Sequence, residues 1–250
     1  MQEIIHQFST LQLIAIALIF IWTGFVRTGI GFGGATLGLP LLLLVDSNPL
    51  FFLPIIGAHL LFFTSLTLSS RLHNINWPVV AKVMAIIIIP KFIGVLGLFS
   101  LPAQLLTLMV FLITLFYGLT WMFNYTIRSQ SKWVDGFLLV LGGYVSGTSL
   151  VGAPLIAAVV IRHVSKIELR ETLFVLWFIL VTFKMSTFVV YDIDLNWQAT
   201  LWLLPFAGIG HFIGLKVHDY LVNSDSNAFH RILGFGLIAV SSVGLIKVFL

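Results

Sequence analysis

The sequence predicts an all-α polytopic membrane protein made of two repeats, each a broken, glycine-rich helical hairpin followed by three transmembrane helices, with the repeats in inverted topology. Three observations lead there. The 250-residue chain is 59% hydrophobic and 9% charged, with a mean hydropathy of +1.09, whereas a soluble domain carries about a quarter charged residues. Apolar segments follow one another with only short polar turns between them. A glycine-rich run at 31–40, GFGGATLGLP, returns at 146–154 as SGTSLVGAP.

The apolar segments run over 11–45, 50–70, 77–99, 102–124, 133–161, 169–191, 197–221 and 228–250. Stretches of about 17–25 apolar residues suit a hydrocarbon slab about 30 Å thick. The first segment, at 35 residues, makes about 52 Å of straight helix, far more than one crossing needs, so it is expected to fold back. The same holds for 133–161, and each becomes a hairpin with its glycine-rich loop at the tip. No connecting loop is long enough for a soluble domain. The first apolar segment lacks a short run ending in a small-residue cleavage site, so the mature protein is expected to be the whole chain.

Aligning Pro40 with Pro154 places Gly29 on Gly143, Gly33 on Gly147 and Gly38 on Gly152. Further along, Asn76-Trp77 falls on Asn196-Trp197 and Phe92-Ile93-Gly94 on Phe212-Ile213-Gly214. These matches in the same order indicate a duplication, with residues 1–125 and 126–250 as two membrane repeats of one integral membrane domain. Cytoplasmic loops are enriched in Lys and Arg. Arg71, Arg128, Lys132, Arg162, Lys166 and Arg170 mark one set of turns, while 46–49 and 192–196 hold acids and no base. If each hairpin returns to its starting side, the basic turns all fall inside and the acidic ones outside. A hairpin plus three spans changes sides, hence the inverted repeats.

Net charge +4 and a pI near 9.5 would suggest nucleic acid in a soluble protein. Here the few charges sit beside spans and act as topology signals, so no nucleic-acid partner is expected; the lipid bilayer is the partner. Zero cysteines exclude disulfides, thiolate metal sites and cysteine nucleophiles. Neither a metal nor a cofactor is expected.

Backbone groups freed from a helix within hydrocarbon cost several kcal/mol each unless protein or a water-filled cavity satisfies them. A loop at membrane depth therefore implies a cavity or tight burial. Gly29, Gly31, Gly33 and Gly34 allow positive φ and close approach, and on either side of Gly147 in the second loop Ser146, Thr148 and Ser149 add hydroxyl donors. A helix starting after such a loop presents bare N–H groups and a positive dipole end, which favour an anion. The plainer reading of spacings such as Gly34 to Gly38 is close helix packing.

Ionisable groups within spans mark functional sites by default. Arg27 precedes the first glycine loop and Lys184 lies mid-span, with Thr64 as its repeat counterpart in a Thr64-Ser65 pair. Arg27 and Lys184 are the charges expected to balance an anionic substrate, with Thr64 and Ser65 beside them. A buried ion pair for Lys184 lacks a partner, because no acid lies deep in any span. Lys91 and its counterpart His211, and His59, are candidate proton or substrate relays. Snorkelling is the simpler role for Lys91, and hydrogen-bonded packing for His59. Trp77, Trp133 and Trp197 at span ends fit an aromatic belt, and Lys82 and Lys216 fit the interface.

A glycine-rich break with a following proline, present in both halves of a nearly loop-free membrane chain, resembles the sulfite exporter TauE/SafE family. Gly31, Gly33, Gly34, Gly38 and Pro40 carry the match in the first half, and Gly147, Gly152 and Pro154 in the second; the resemblance covers essentially the whole chain. The second loop departs from a richer glycine run by carrying Thr148-Ser149-Leu150. The resemblance implies a cell (cytoplasmic) membrane location and transport of sulfite, organosulfonates or related small anions.

The leading expectation is a secondary transporter or exporter of a small anion, working by alternating access at a midplane site between the helix breaks. No Walker lysine loop is present, leaving protons or the membrane potential as coupling sources. An anion channel is the alternative. An intramembrane enzyme is less favoured: Ser146 or Ser149 with His59 or His211 is a formal pair, but no nucleophile motif and no acidic cluster accompany it, and no catalytic residue is assigned. A purely structural membrane partner would not need two glycine breaks. A homodimer is compatible with the sequence, which does not set the oligomeric state.

Overall fold

The computed structural model describes residues 7–30, 33–69, 72–125, 131–223 and 227–250. Among these residues the chain is all-helical: α1 (Thr10–Ile30), α2 (Gly34–Val45), α3 (Pro49–Leu68), a 3-10 turn (Leu72–Asn74), α4 (Trp77–Ser100), α5 (Ala103–Met122), α6 (Lys132–Ser149), α7 (Ala153–His163), α8 (Lys166–Val190), α9 (Trp197–Asn223) and α10 (Asn227–Phe249). Seven of them, α1, α3, α4, α5, α8, α9 and α10, are long and apolar enough to cross a membrane. The protein is a multi-pass membrane protein. At 12 and 11 residues, α2 and α7 reach only about 16–18 Å and cross no bilayer alone.

Helix starts follow the local sequence. Asn48 and Asn76 accept from the first-turn N–H groups of Leu50 and Val79, each ahead of a proline that needs no partner for its missing N–H. Ser131 caps α6, and Ser165 with Glu168 forms a reciprocal capping box on α8. In contrast, α2 and α7 start after Gly33 and Gly152 with no side-chain cap.

Both long segments fold back. A Cβ added at Gly34 would lie 2.8 Å from Arg27 Cβ, and one at Gly38 would collide with the Thr23 side chain, which sets α2 antiparallel on α1. The Phe8 and Phe51 rings, 5.4 Å apart, set the start of this first hairpin against the first turn of α3, just after its second arm ends. In the second hairpin, a Cβ on Gly142 of α6 would lie 3.2 Å from Leu155 Cβ of α7. Its ends close through Asp135, which meets His163 Nε2 at 3.0 Å and Arg162 at 3.5 Å.

One boundary differs from expectation. The sequence places the second break across 146–154, but α6 continues helically through Ser149 and the break is only Leu150–Gly152. Ser146, Gly147, Thr148 and Ser149 form the last turn of α6. The physical reason is local: Thr148 Oγ1 and Ser149 Oγ each donate to Val145 O at 3.0 Å, so the hydroxyls bond to their own helix rather than unwinding it. Leu150 takes up the left-handed conformation, φ 61°, that ends it. Similarly, Gly38 and Pro40 lie inside α2. Gly31, Arg71 and Arg128 lie outside the described residues.

The two halves interleave. Helix α1 packs most extensively on α9, α6 on α4, and α5 on α10, while α3 lies against α8. These contacts need small residues. A Cβ at Gly210 would collide with Ile21 O of α1, and one at Gly147 would collide with Lys91 O and sit 2.8 Å from Gly94 Cα of α4. In a bilayer, where lipid tails are as apolar as leucine, such close backbone approach supplies helix association. The outward faces stay apolar, with residues such as Leu18, Phe116 and Phe212 exposed, and Trp77, Trp133 and Trp197 stand exposed at the starts of α4, α6 and α9.

Candidate functional site

The two hairpin tips meet at a cavity lined by five parts of the chain. Helix α1 contributes Phe20, Thr23 and Arg27, and the first turn of α2 contributes Gly33 through Thr36. Helix α3 gives Ile56, His59 and Leu60. The second tip gives Ser146, Leu150 and Ala153, and Trp177, Leu180 and Val181 of α8 close the far side.

Gly33 makes the first tip. Its φ of +88° is left-handed, and it caps α2 with its carbonyl, which accepts from Leu37 N at 2.8 Å. The N–H groups of Gly34, Ala35 and Thr36 then have no partner within the helix. They lie at the cavity wall with the positive end of the α2 dipole. On the second tip Pro154 lacks an N–H, and Ala153 and Leu155 supply the free donors of α7. An added Cβ at Gly33 meets nothing nearer than Val26 at 4.0 Å, so the cost of Gly33→Ala is conformational. It should be about 1–2 kcal/mol, and Gly33→Asn should lose less; thermal unfolding of the two variants in detergent checks the order.

Four buried polar atoms on residues around this cavity have no hydrogen-bond partner: Arg27 Nη2, Thr36 Oγ1, His59 Nδ1 and Trp177 Nε1. Their residues are 0–9% exposed. Buried polar atoms are almost always paired, and these four belong to residues of four different helices around the one cavity. The guanidinium, the indole and the free helix N–H groups are donors, the threonine hydroxyl can donate, and no wall residue is acidic. That set suits an anion. Arg27 also stacks over Phe63, 4.7 Å from the ring centroid, which holds the guanidinium without neutralising it.

His59 Nε2 lies 2.8 Å from Thr200 O. A carbonyl only accepts, so Nε2 carries the proton and Nδ1 of the neutral ring is a bare, buried lone pair on a residue that lines the cavity.

The lysines lie one layer behind. Lys184 Nζ donates to Gly147 O at 2.8 Å, and Lys91 Nζ donates to Ser146 O at 3.2 Å and Ser146 Oγ at 3.0 Å. Both ammonium groups thus sit on the last turn of α6, where the carbonyls and the negative dipole end favour cations. In broken-helix transporters such C-terminal ends bind coupling cations; here two lysines occupy one. The corresponding end of α1 is held by histidines: His218 Nδ1 donates to Gly29 O at 2.8 Å, and His211 Nδ1 pairs with Thr28 Oγ1 at 2.7 Å. Because Lys184 contacts a carbonyl and is no part of the wall, Lys184→Met should change anion affinity less than any change at Arg27, as titration of both variants with the same anion checks.

Of the residues singled out from sequence, the structure brings Arg27, Gly33, Gly34, His59 and Ser146 to one cavity, with Gly147, Lys91 and Lys184 behind Ser146. Thr148 and Ser149 are buried but bonded within α6. Thr64 is buried on α3 away from the wall, and Ser65 is exposed on the outer face with its hydroxyl on Leu61 O and Phe62 O. His211 stacks on Phe63, centroids 4.8 Å apart. Ser146 is held by Lys91 and Ser149 by Val145 O, so among the described contacts neither serine meets an imidazole. Sequence reasoning missed Thr36 and Trp177. Thr36 lies inside the first glycine run, and Trp177 is a mid-span tryptophan, unlike those at span ends; both were visible signals.

The chain matches the family described as Sulfite exporter TauE/SafE over residues 16–244. No curated protein and no solved structure matches it.

Proposed function

The chain belongs to the sulfite exporter TauE/SafE family, and from that premise we propose that it is a secondary transporter of small oxyanions, sulfite or organosulfonates, which binds them between the two hairpin tips. The observation that carries this reading is the set of unpartnered donors, Arg27 Nη2, Trp177 Nε1 and Thr36 Oγ1, facing one acid-free cavity beside the bare N–H groups of α2. Arg27 supplies the compensating charge. The two tips supply backbone donors, and Phe20, Ile56 and Leu180 give the apolar rim that keeps competing water few.

The halves form inverted-topology repeats in this reading. Supporting it, Asn196 Nδ2 reaches Phe51 O at 3.3 Å, joining the two acidic turns at one end of the bundle. Asn76 Nδ2 reaches Glu168 at 3.2 Å near the basic turns at the other. The pairings α1 with α9 and α6 with α4 also exchange under a two-fold relation between halves. Each tip belongs to a hairpin packed on a long helix of the other half, so rocking of one pair against the other exposes the site to alternate sides.

The test is counterflow. Proteoliposomes preloaded with unlabelled sulfite or methanesulfonate should transiently concentrate the same labelled anion, as a carrier does; a channel lets label in only to equilibrium and would displace this reading.

A further inference from the structure

The His59 imidazole has one hydrogen bond it cannot exchange and one open position. Nε2–H is committed to Thr200 O at 2.8 Å, and Nδ1 has no partner on a residue only 2% exposed. The ring is clamped edge-on by Phe20, centroids 5.2 Å apart, and by Phe63 at 6.5 Å, the phenylalanine that also carries the Arg27 guanidinium. A proton reaching this residue therefore has one place to go, Nδ1, on the wall shared with Arg27.

We propose that His59 is the proton-binding residue that couples proton to anion movement: a proton taken from water at Nδ1 enters with the anion, turns Nδ1 into a further donor to it, and returns to water when the anion leaves. This rests on the anion reading above. The coupling is electrostatic. A second positive charge next to Arg27 is costly in a low-dielectric cavity, and an anion bound against both removes that cost, so each ligand improves the other's binding. The charged and titratable groups near His59 on the neighbouring helices are Arg27 on α1, His211 on α9, which shares Phe63, and Lys184 on α8 behind Gly147; the acids of α8 stand at its start, Glu168 in the capping box and Glu171 paired with Arg170, and Lys216, His218 and Asp219 lie further along α9. The cavity lining itself holds no acid, and α2 and α5 carry no charged residue. The anion is thus the compensating charge this neighbourhood lacks. Of the two candidate histidines here, His211 already spends Nδ1 on Thr28.

The experiment is a calorimetric titration of the full chain in lipid nanodiscs with sulfate and with methanesulfonate, whose own charges stay constant over about pH 5–8, where imidazole titrates. Repeating it in buffers of different ionisation enthalpy counts protons bound per anion. Wild type should take up close to one proton on the alkaline side of the His59 titration, and its affinity there should fall by up to about tenfold per pH unit as pH rises. His59→Gln and His59→Asn should bind with no uptake and a flat pH profile, and His211→Gln should keep the uptake. Binding without proton uptake in wild type at every pH overturns the proposal, a result that needs no variant to fold. Uptake persisting in the His59 variants, or lost in His211→Gln instead, overturns it equally. Absence of binding by either anion, and by sulfite and taurine, overturns the anion reading itself and the coupling with it.

Discussion

Arg27→Gln should weaken small-anion binding by about ten- to a hundredfold, the effect of losing charge-assisted hydrogen bonds that contribute roughly 1.5–3 kcal/mol. The fold should survive. Arg27 is buried with no acid partner among the described ion pairs, and a buried charge without a counter-charge is a cost to the empty protein. Without anion, the variant should therefore be at least as thermally stable as wild type, while the stabilisation that wild type gains from added sulfite should largely vanish, since a ligand stabilises only the state that binds it. Arg27→Lys should fall between the two, keeping the charge but losing the planar fork that matches an oxyanion. Titration and thermal shift on the three proteins check both halves. A variant destabilised without anion and unaltered in affinity would make Arg27 a packing residue.

Gly147→Leu should damage the fold severely. The crossing of α6 and α4 brings backbone to backbone: beyond the collision with Lys91 O, an added Cβ lies 2.8 Å from Gly94 Cα and 2.9 Å from Val95 N, with no flexible side chain to yield. Separating the helices also pulls Ser146 and Gly147 from Lys91 and Lys184. The loss should exceed about 3 kcal/mol, the upper part of the overpacking range. It should appear as poor recovery of monodisperse protein and a large drop in unfolding temperature. Gly136→Ala, on the same helix, is the matched control, because nothing lies within 4 Å of its added Cβ. It should be neutral or stabilising by up to about 1 kcal/mol, the helix-propensity gain over glycine.

The architecture was legible because two simple quantities decided it. A 35-residue apolar segment cannot be one crossing, and the recurrence of spaced glycines and a proline marked the neighbourhood in which both long segments turn, though not the length of the second break. The hairpins follow, with short second arms. What stayed hidden was where polar groups find partners. Thr148, Ser149 and Ser65 look like free hydroxyls in a span, but each bonds to its own helix one turn back, a local option that costs no tertiary contact. Lys184 was visible as a deep charge without an acid. Its partner is a main-chain carbonyl at the end of α6, which any residue could supply and no side-chain pattern marks. Arg27 was legible by position, one turn before the glycine run. Trp177 was passed over because tryptophans at span ends have an interfacial explanation, and its mid-span depth is what separates it from them.

Selenate, an oxyanion whose anomalous scattering locates it directly, gives the most direct test of the central claim. A crystal structure of the protein soaked in selenate should show an anomalous peak between the hairpin tips, with its oxygens about 3 Å from Arg27 Nη2, Trp177 Nε1 and the free N–H groups at the start of α2. A strong peak elsewhere in the bundle, with this cavity occupied by lipid or closed by side chains, would contradict it.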